Sequence, residues 1–174
     1  MDQQCIFCGI ISGKVPSKTI YEDDVVKVIL DIYPANPAHL LLLTKKHYAI
    51  FNQLSKEEAE QIGKISRLLT ELIFKVLKPD GINLFIANGA VAGQKAPHFM
   101  MHIIPRFQND GINFEFPEKS VDENDISEFY SRIKTTLKNY FPAVDFDGDR
   151  NENFKGKNNP KKDIDLDKIS EMFL

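Results

Sequence analysis

Apolar residues fall into short strand-like runs in the first hundred positions, interrupted by one long helical stripe. From Ser55 onward, Ile62, Ile65, Leu69, Leu72, Ile73 and Val76 recur at the spacing of an amphipathic helix. Ser55 and Glu58 have the capping-box spacing that starts such a helix, and Pro79 with Gly81 stops it. Before it, residues 19–22 and 25–31 flank the acidic pair Asp23-Asp24 and read as a β-hairpin. Residues 39–44 form a third strand, apolar enough to be buried on both faces. The run from Tyr33 to Pro37 is a loop, because its two prolines bar ladder pairing. Residues 82–88 and 98–106 read as strands four and five. Cys5 to Ser12 suits a short helical turn ended by Gly13, and 122–140 is a second amphipathic helix through Ile126, Phe129, Ile133 and Leu137. The pattern predicts an α+β fold: an antiparallel sheet of about five strands, one long helix and a C-terminal helix.

After Pro142 the composition changes. Residues 145–163 are rich in Asp, Asn, Lys and Gly and too poor in apolar side chains to build a core. The expected organisation is a domain over 1–142, a polar linker over 143–163 and a short amphipathic segment over 164–174. Ile164, Leu166, Ile169, Met172 and Phe173 space that last segment for docking on the chain's own domain or on a partner. The whole chain has 174 residues, 43% of them hydrophobic, and a formal net charge of −3. No global positive field argues for a nucleic-acid polymer as partner, so a phosphate-bearing ligand must be held by local donors. No apolar run approaches the ~20 residues of a membrane span. Met1 to Gln4 lacks the basic start and apolar stretch of a secretory signal, and the two cysteines lie too close together for a disulfide framework. A cytoplasmic protein is expected.

Chemistry concentrates in residues 92–106. Side chains alternate along a strand, so His98, Met100 and His102 share one face while Phe99, Met101 and Ile103 take the other, a core-like set. The preceding loop, Asn88-Gly89 followed by Ala92-Gly93-Gln94, reads either as a plain turn or as a phosphate cradle offering N–H groups and the Asn88 and Gln94 amides. Cys5-x-x-Cys8 is open to a redox role or half a zinc site. The βαβ setting of thioredoxin-type redox motifs is missing, and zinc needs two further ligands. Asp31 ends an apolar strand, and His39 heads the next one. The run from Asp145 to Asp149 resembles a calcium loop only superficially: its glycine is misplaced and Gly156 stands where a bidentate Glu belongs.

The array Gly93-Gln94, spacer, His98-x-Met100-x-His102, Ile104-Pro105-Arg106 closely resembles the histidine-triad (HIT) signature of Gly-Gln, spacer, His-x-His-x-His and Ile-Pro-Arg. Family-like spacing extends back to Cys5. The resemblance implies the HIT α+β fold, a homodimer with the sheets continued across the interface, and a purine nucleotide as ligand. It puts Asp31 on the ribose hydroxyls, with Phe7, Ile10, Leu30 and Ile32 as walls of the base pocket. His39, Asn88, Gly93, Gln94 and His102 fall to the phosphates. It further implies a structural zinc ion on Cys5, Cys8, His47 and His98. The middle histidine, nucleophile of the family's hydrolases and transferases, falls on Met100. Two classes of function follow: a nucleotide-binding protein with impaired catalysis, or an active nucleotidyl hydrolase or transferase, acting on dinucleoside polyphosphates or nucleoside phosphoramidates, whose nucleophile has been rerouted. A methionine introduced to trap a complex would give the same sequence.

Overall fold

The computed structural model describes residues 5–141. The linker and the amphipathic segment expected over 143–174 lie outside them. The chain divides into two compact units, residues 1–113 and 114–174.

In the first unit, α1 (Ile6–Ile11) leads to the hairpin β1 (Thr19–Glu22) and β2 (Val26–Leu30), then β3 (Leu40–Thr44), α2 (Lys56–Leu77), β4 (Gly81–Phe85) and β5 (Met100–Arg106). The five strands form one antiparallel sheet in the order β1-β2-β3-β5-β4. The hairpin turn is closed by Asp23, whose carboxylate accepts from the N–H groups of Val25 and Val26. Its low pKa, despite burial, follows from these bonds and one from the Gln61 amide.

Every residue of β3 is buried because both faces of the sheet are covered. On one face, Ile62, Ile65, Leu69 and Ile73 of α2 pack with Val26, Val28, Leu40, Leu42, Phe99, Met101 and Ile103. On the other, Ile29, Leu41 and Leu43 receive Phe7, Ile10 and Ile11 of the α1 segment together with Met100. The alternation expected for residues 98–103 thus sets the two sides of β5.

Helix α2 starts at the expected capping box, Ser55 accepting from the Glu58 N–H and Glu58 from the Ser55 N–H. It ends at Lys78 in a left-handed conformation just before Pro79. Two residues of the expected stripe lie elsewhere: Leu72 is 49% and Val76 69% exposed, beside Leu68 on the outer face. Strand four stops at Phe85, three residues early. Strand five starts at Met100, because the Phe99 N–H donates to Tyr48 O outside the ladder. Pro105 is tolerated because β3 pairs with β5 only as far as Ile103.

In the second unit, α3 (Glu123–Tyr140) is capped by Asp122, whose carboxylate accepts from Asn124 N–H. Its apolar stripe leaves Ile126, Phe129 and Ile133 more than half exposed. Among the described residues no helix is long and apolar enough to cross a membrane.

Candidate functional site

Two side-chain clusters sit on the sheet face opposite α2. The first brings together Cys5 and Cys8 from the start of α1, His47 just past β3, and His98 just before β5. Cys8 Sγ lies 3.1 Å from His47 Nδ1 and 3.7 Å from His98 Nδ1, and Cys5 Sγ lies 3.5 Å from His98 Nδ1. His98 is fully buried, and its Nε2–H donates to Thr44 O at 2.9 Å. That bond fixes the tautomer and leaves the Nδ1 lone pair aimed at the sulfurs. Burial, and then the neighbouring His47, hold His98 below the usual histidine pKa against the opposing pull of the Thr44 carbonyl. Neutral imidazole is the form that ligates a metal.

The second cluster is a row: Asp31, His39, His102. Asp31 Oδ2 lies 3.4 Å from His39 Nδ1, and His39 Nε2 lies 3.0 Å from His102 Nδ1. The Ala35 N–H donates to His39 Nδ1 at 3.1 Å. The His39 proton is therefore on Nε2 and is donated to His102, whose own proton is left on Nε2, facing away from His39. Burial outweighs the nearby Asp31 carboxylate and lowers the His39 pKa, while burial, then His39, lowers that of His102. Both rings are thus neutral near pH 7. Asp31 lines one side of an open cleft of about 550 Å3, with Lys18, Leu30, Ile32, Ala38 and His39 among its walls. That volume lies in the range of small-ligand pockets. Phe7, Ile10 and Met100 do not line this cleft; they form the apolar floor with Leu41 and Leu43.

A third feature positions His39 and was not anticipated from the sequence. Ala38 has φ 63°, a left-handed conformation that a non-glycine residue adopts at a cost, and it turns the chain into β3. The loop is held by Asn36, whose Nδ2 donates to Pro105 O and to Asp110 Oδ2. Asp110 in turn accepts from Arg106 at 2.6 and 2.9 Å. The Arg106 guanidinium keeps Asp110 far below the usual carboxylate range. The Pro-Arg end of β5 therefore clamps the loop that carries His39 beside the strand that carries His102.

The glycine loop is also tied down. Gly89 and Gly93 take positive φ, 91° and 94°, around a short 3-10 turn. Gln94 Oε1 accepts from Gly89 N–H, and its Nε2 donates to Ala49 O and Ala96 O. The Gln94 amide is thus committed to holding the loop. Asn88 Oδ1 accepts from Phe51 N–H, which leaves its Nδ2 protons to offer.

This sheet, with a histidine row at the end of β3 and β5 and a Cys-His cluster beside it, defines a histidine-triad domain. The HIT domain family matches residues 12–109, and the chain belongs to it. An uncharacterized HIT-like protein of Methanocaldococcus jannaschii is 42% identical over 130 residues, which cover 75% of this chain and 98% of that one. The adenosine 5'-monophosphoramidase of Schizosaccharomyces pombe is 29% identical over 135 residues, 77% of this chain and 98% of its own. Among solved structures, a HIT family member of Bacillus subtilis superposes with a TM-score of 0.71 at 32% identity, covering 76% of this chain and 96% of that one. A zinc-bound histidine-triad protein of Mycobacterium smegmatis superposes with a TM-score of 0.60 at 27% identity, covering 78% and 96%.

Proposed function

We propose that this protein binds a purine nucleotide in the Asp31–His39–His102 site and that its nucleotidyl-transfer step is impaired. The observation that carries the reading is Met100, which occupies the middle of the His98-x-Met100-x-His102 array while the rest of the row is in place. In the family's reaction the middle histidine attacks the α-phosphate and forms a nucleotidyl-imidazole, a case of covalent catalysis. A thioether has no nitrogen lone pair for that bond. Met100 instead packs on Leu41, Leu43 and the α1 side chains. In this reading Asp31 accepts from the ribose hydroxyls, and the Nε2–H of His102 and the Nδ2 protons of Asn88 donate to phosphate oxygens.

The Cys-His cluster fits a structural zinc ion. Zinc bonds of about 2.3 Å to sulfur and 2.0–2.1 Å to nitrogen put tetrahedral S and N ligands about 3.6 Å apart. The sulfur–nitrogen separations of 3.5 and 3.7 Å suit this, and that of 3.1 Å is half an ångström tighter. Four protein ligands leave no open position, so the bound ion would fix structure and activate nothing. Cys5, Cys8, His47 and His98 would hold it, joining α1 to the ends of two central strands.

A homodimer is supported by the surface. Strand β4 is a sheet edge, with Leu84 50% and Phe85 37% exposed, and α2 leaves Leu68, Leu72 and Val76 in water. An edge strand with exposed apolar side chains is a template for pairing with a second copy.

One observation favours an active enzyme instead: His102 is neutral, with Nε2 unclaimed by His39, so it could serve as the nucleophile once both rings switch tautomer, His102 holding its proton on Nδ1 toward His39 and His39 holding its own on Nδ1 toward Asp31. The deciding experiment measures AMP and GMP binding by calorimetry alongside hydrolysis of adenosine phosphoramidate and diadenosine tetraphosphate. Binding with hydrolysis near background is expected. Robust turnover with an adduct on His102 contradicts the impaired-catalysis reading.

A further inference from the structure

None of the 18 residues of α3 is buried, although the helix is amphipathic. A helix of this length is marginal by itself and is held in proteins by covering its apolar face. That face carries Ile126, Phe129, Ile133 and Leu137, with Tyr130 beside them, and Ile126, Phe129, Tyr130 and Ile133 are all more than half exposed. An open depression of about 370 Å3 runs along it, lined by Phe129, Ile133 and Leu137 with Arg132 and Thr136. Arg132 lies 3.4 Å from Glu128, but both side chains are largely exposed. So screened a pair holds the guanidinium only weakly.

The segment 164–174 has a matching pattern. Leu166, Ile169 and Phe173 stand at i, i+3 and i+7, with Met172 adjoining, the same spacing as Ile126, Phe129 and Ile133. Two stripes of equal length can therefore face each other. Residues 141–163 connect them, and at about 3.3 Å per residue that connection lets the segment lie along α3 in either direction. Charge selects the direction. The first half of α3 is acidic, with Glu123, Asp125 and Glu128, and the second half is basic, with Arg132, Lys134 and Lys138. The segment opens on Asp163, Asp165 and Asp167. Antiparallel, these aspartates meet the basic half; parallel, they meet three carboxylates. Tethering also keeps the segment near the face at an effective concentration on the order of millimolar, which favours it over a separate chain.

We propose that residues 164–174 dock antiparallel on the Ile126–Leu137 face of α3. Leu166, Ile169 and Phe173 cover the depression, and the opening aspartates lie beside Arg132, Lys134 and Lys138.

The test is carbodiimide cross-linking of the full-length, zinc-supplemented protein with peptide mapping, alongside hydrogen exchange. The reagent couples a carboxylate directly to an amine it touches and leaves no spacer. Wild type should join Asp163, Asp165 or Asp167 to Lys134 or Lys138. In a mixture of light and heavy-nitrogen protein these cross-links should stay within one chain. Burying an isoleucine corresponds to tenfold or more in an equilibrium. In Ile169→Ser the amides of Ile126–Leu137 should therefore exchange about tenfold or more faster, and the cross-links should fall with them, while Ile169→Leu keeps both. Cross-links that persist in Ile169→Ser with α3 exchange unchanged would show a tether without docking and overturn the inference. Mixed-isotope cross-links would put the segment on a second copy, and wild type lacking these cross-links would put it elsewhere; either result overturns it as well.

Discussion

Removing zinc should loosen the N-terminal segment before it unfolds the sheet. Helix α1 has six residues, none of them fully buried, and so short a helix is unstable unless held. Its apolar ties are Phe7, Ile10 and Ile11 on Ile29, Leu41 and Leu43. The other tie is the Cys5, Cys8, His47, His98 cluster. A metal at 100 times its dissociation constant adds about 2.7 kcal/mol. For a unit spanning residues 1–113, the unfolding entropy is about 0.24 kcal/mol per kelvin, so that stabilisation corresponds to a melting shift of about 11 °C. The assay is differential scanning calorimetry of protein as purified, after chelation, and after zinc is restored, with metal content measured in parallel. Purified protein should hold close to one zinc per chain, as four ligands close one site. Chelation should lower the melting temperature by about that amount and zinc should restore it. Hydrogen exchange should show α1 opening first in the metal-free protein. Cys8→Ser should behave like the chelated wild type and no longer respond to zinc. A melting temperature indifferent to chelation and zinc, or full zinc content surviving Cys8→Ser, refutes the assignment.

Three further outcomes are expected. Asp31→Ala should weaken nucleotide binding about 10- to 100-fold by calorimetry, as loss of a charged hydrogen-bond acceptor costs roughly 1.5–3 kcal/mol; equal affinity removes the ribose assignment. His39 and His102 have folded pKa values below that of an unfolded histidine, about 6.5, so between the two values the unfolded chain binds more protons. Stability should therefore be full above about pH 7 and fall on acidification through 6.5, and His39→Gln should flatten that slope in pH-dependent urea melts; a slope unchanged by the substitution contradicts the neutral-histidine assignment. Leu84→Asp on the β4 edge should give a folded monomer by analytical ultracentrifugation at concentrations where wild type sediments as a dimer, and monomeric wild type overturns the dimer.

Much of this was legible because the signals were periodic or local. The run Leu40 to Leu43 is apolar without alternation because both faces of β3 are covered, and the alternation in residues 98–103 follows from a strand period of two. The Ser55–Glu58 box needs only a spacing of three. What escaped depends on tertiary partners. Leu72 and Val76 share the stripe's spacing yet lie 49% and 69% exposed, a difference that only the packing of the folded sheet reveals. Gln94 reads as a phosphate donor until the positions of Ala49 and Ala96 show that both its protons are taken. The Asn36–Asp110–Arg106 clamp joins residues up to 74 positions apart, and no local pattern announces it. The one sequence signal for it is the Pro-Arg ending itself, since a guanidinium at a strand end needs a carboxylate partner, here Asp110.

The central claim, a nucleotide site intact but for its nucleophile, is tested most directly by Met100→His. At about 3.3 Å rise per residue, His98 and His102 each lie roughly 6.6 Å along the strand from position 100, whereas attack requires approach to about 3–3.5 Å. Loss of a nucleophile in comparable sites costs on the order of 10⁴–10⁶ in turnover. Single-turnover hydrolysis of adenosine phosphoramidate, with mass spectrometry of the quenched enzyme, reads both rate and adduct. Wild type should remain near background without an adduct, and Met100→His should gain turnover and carry the nucleotidyl group on the new histidine. Fast wild-type turnover through an adduct on His98 or His102, or a folded, nucleotide-binding Met100→His as inert as wild type, would contradict the account.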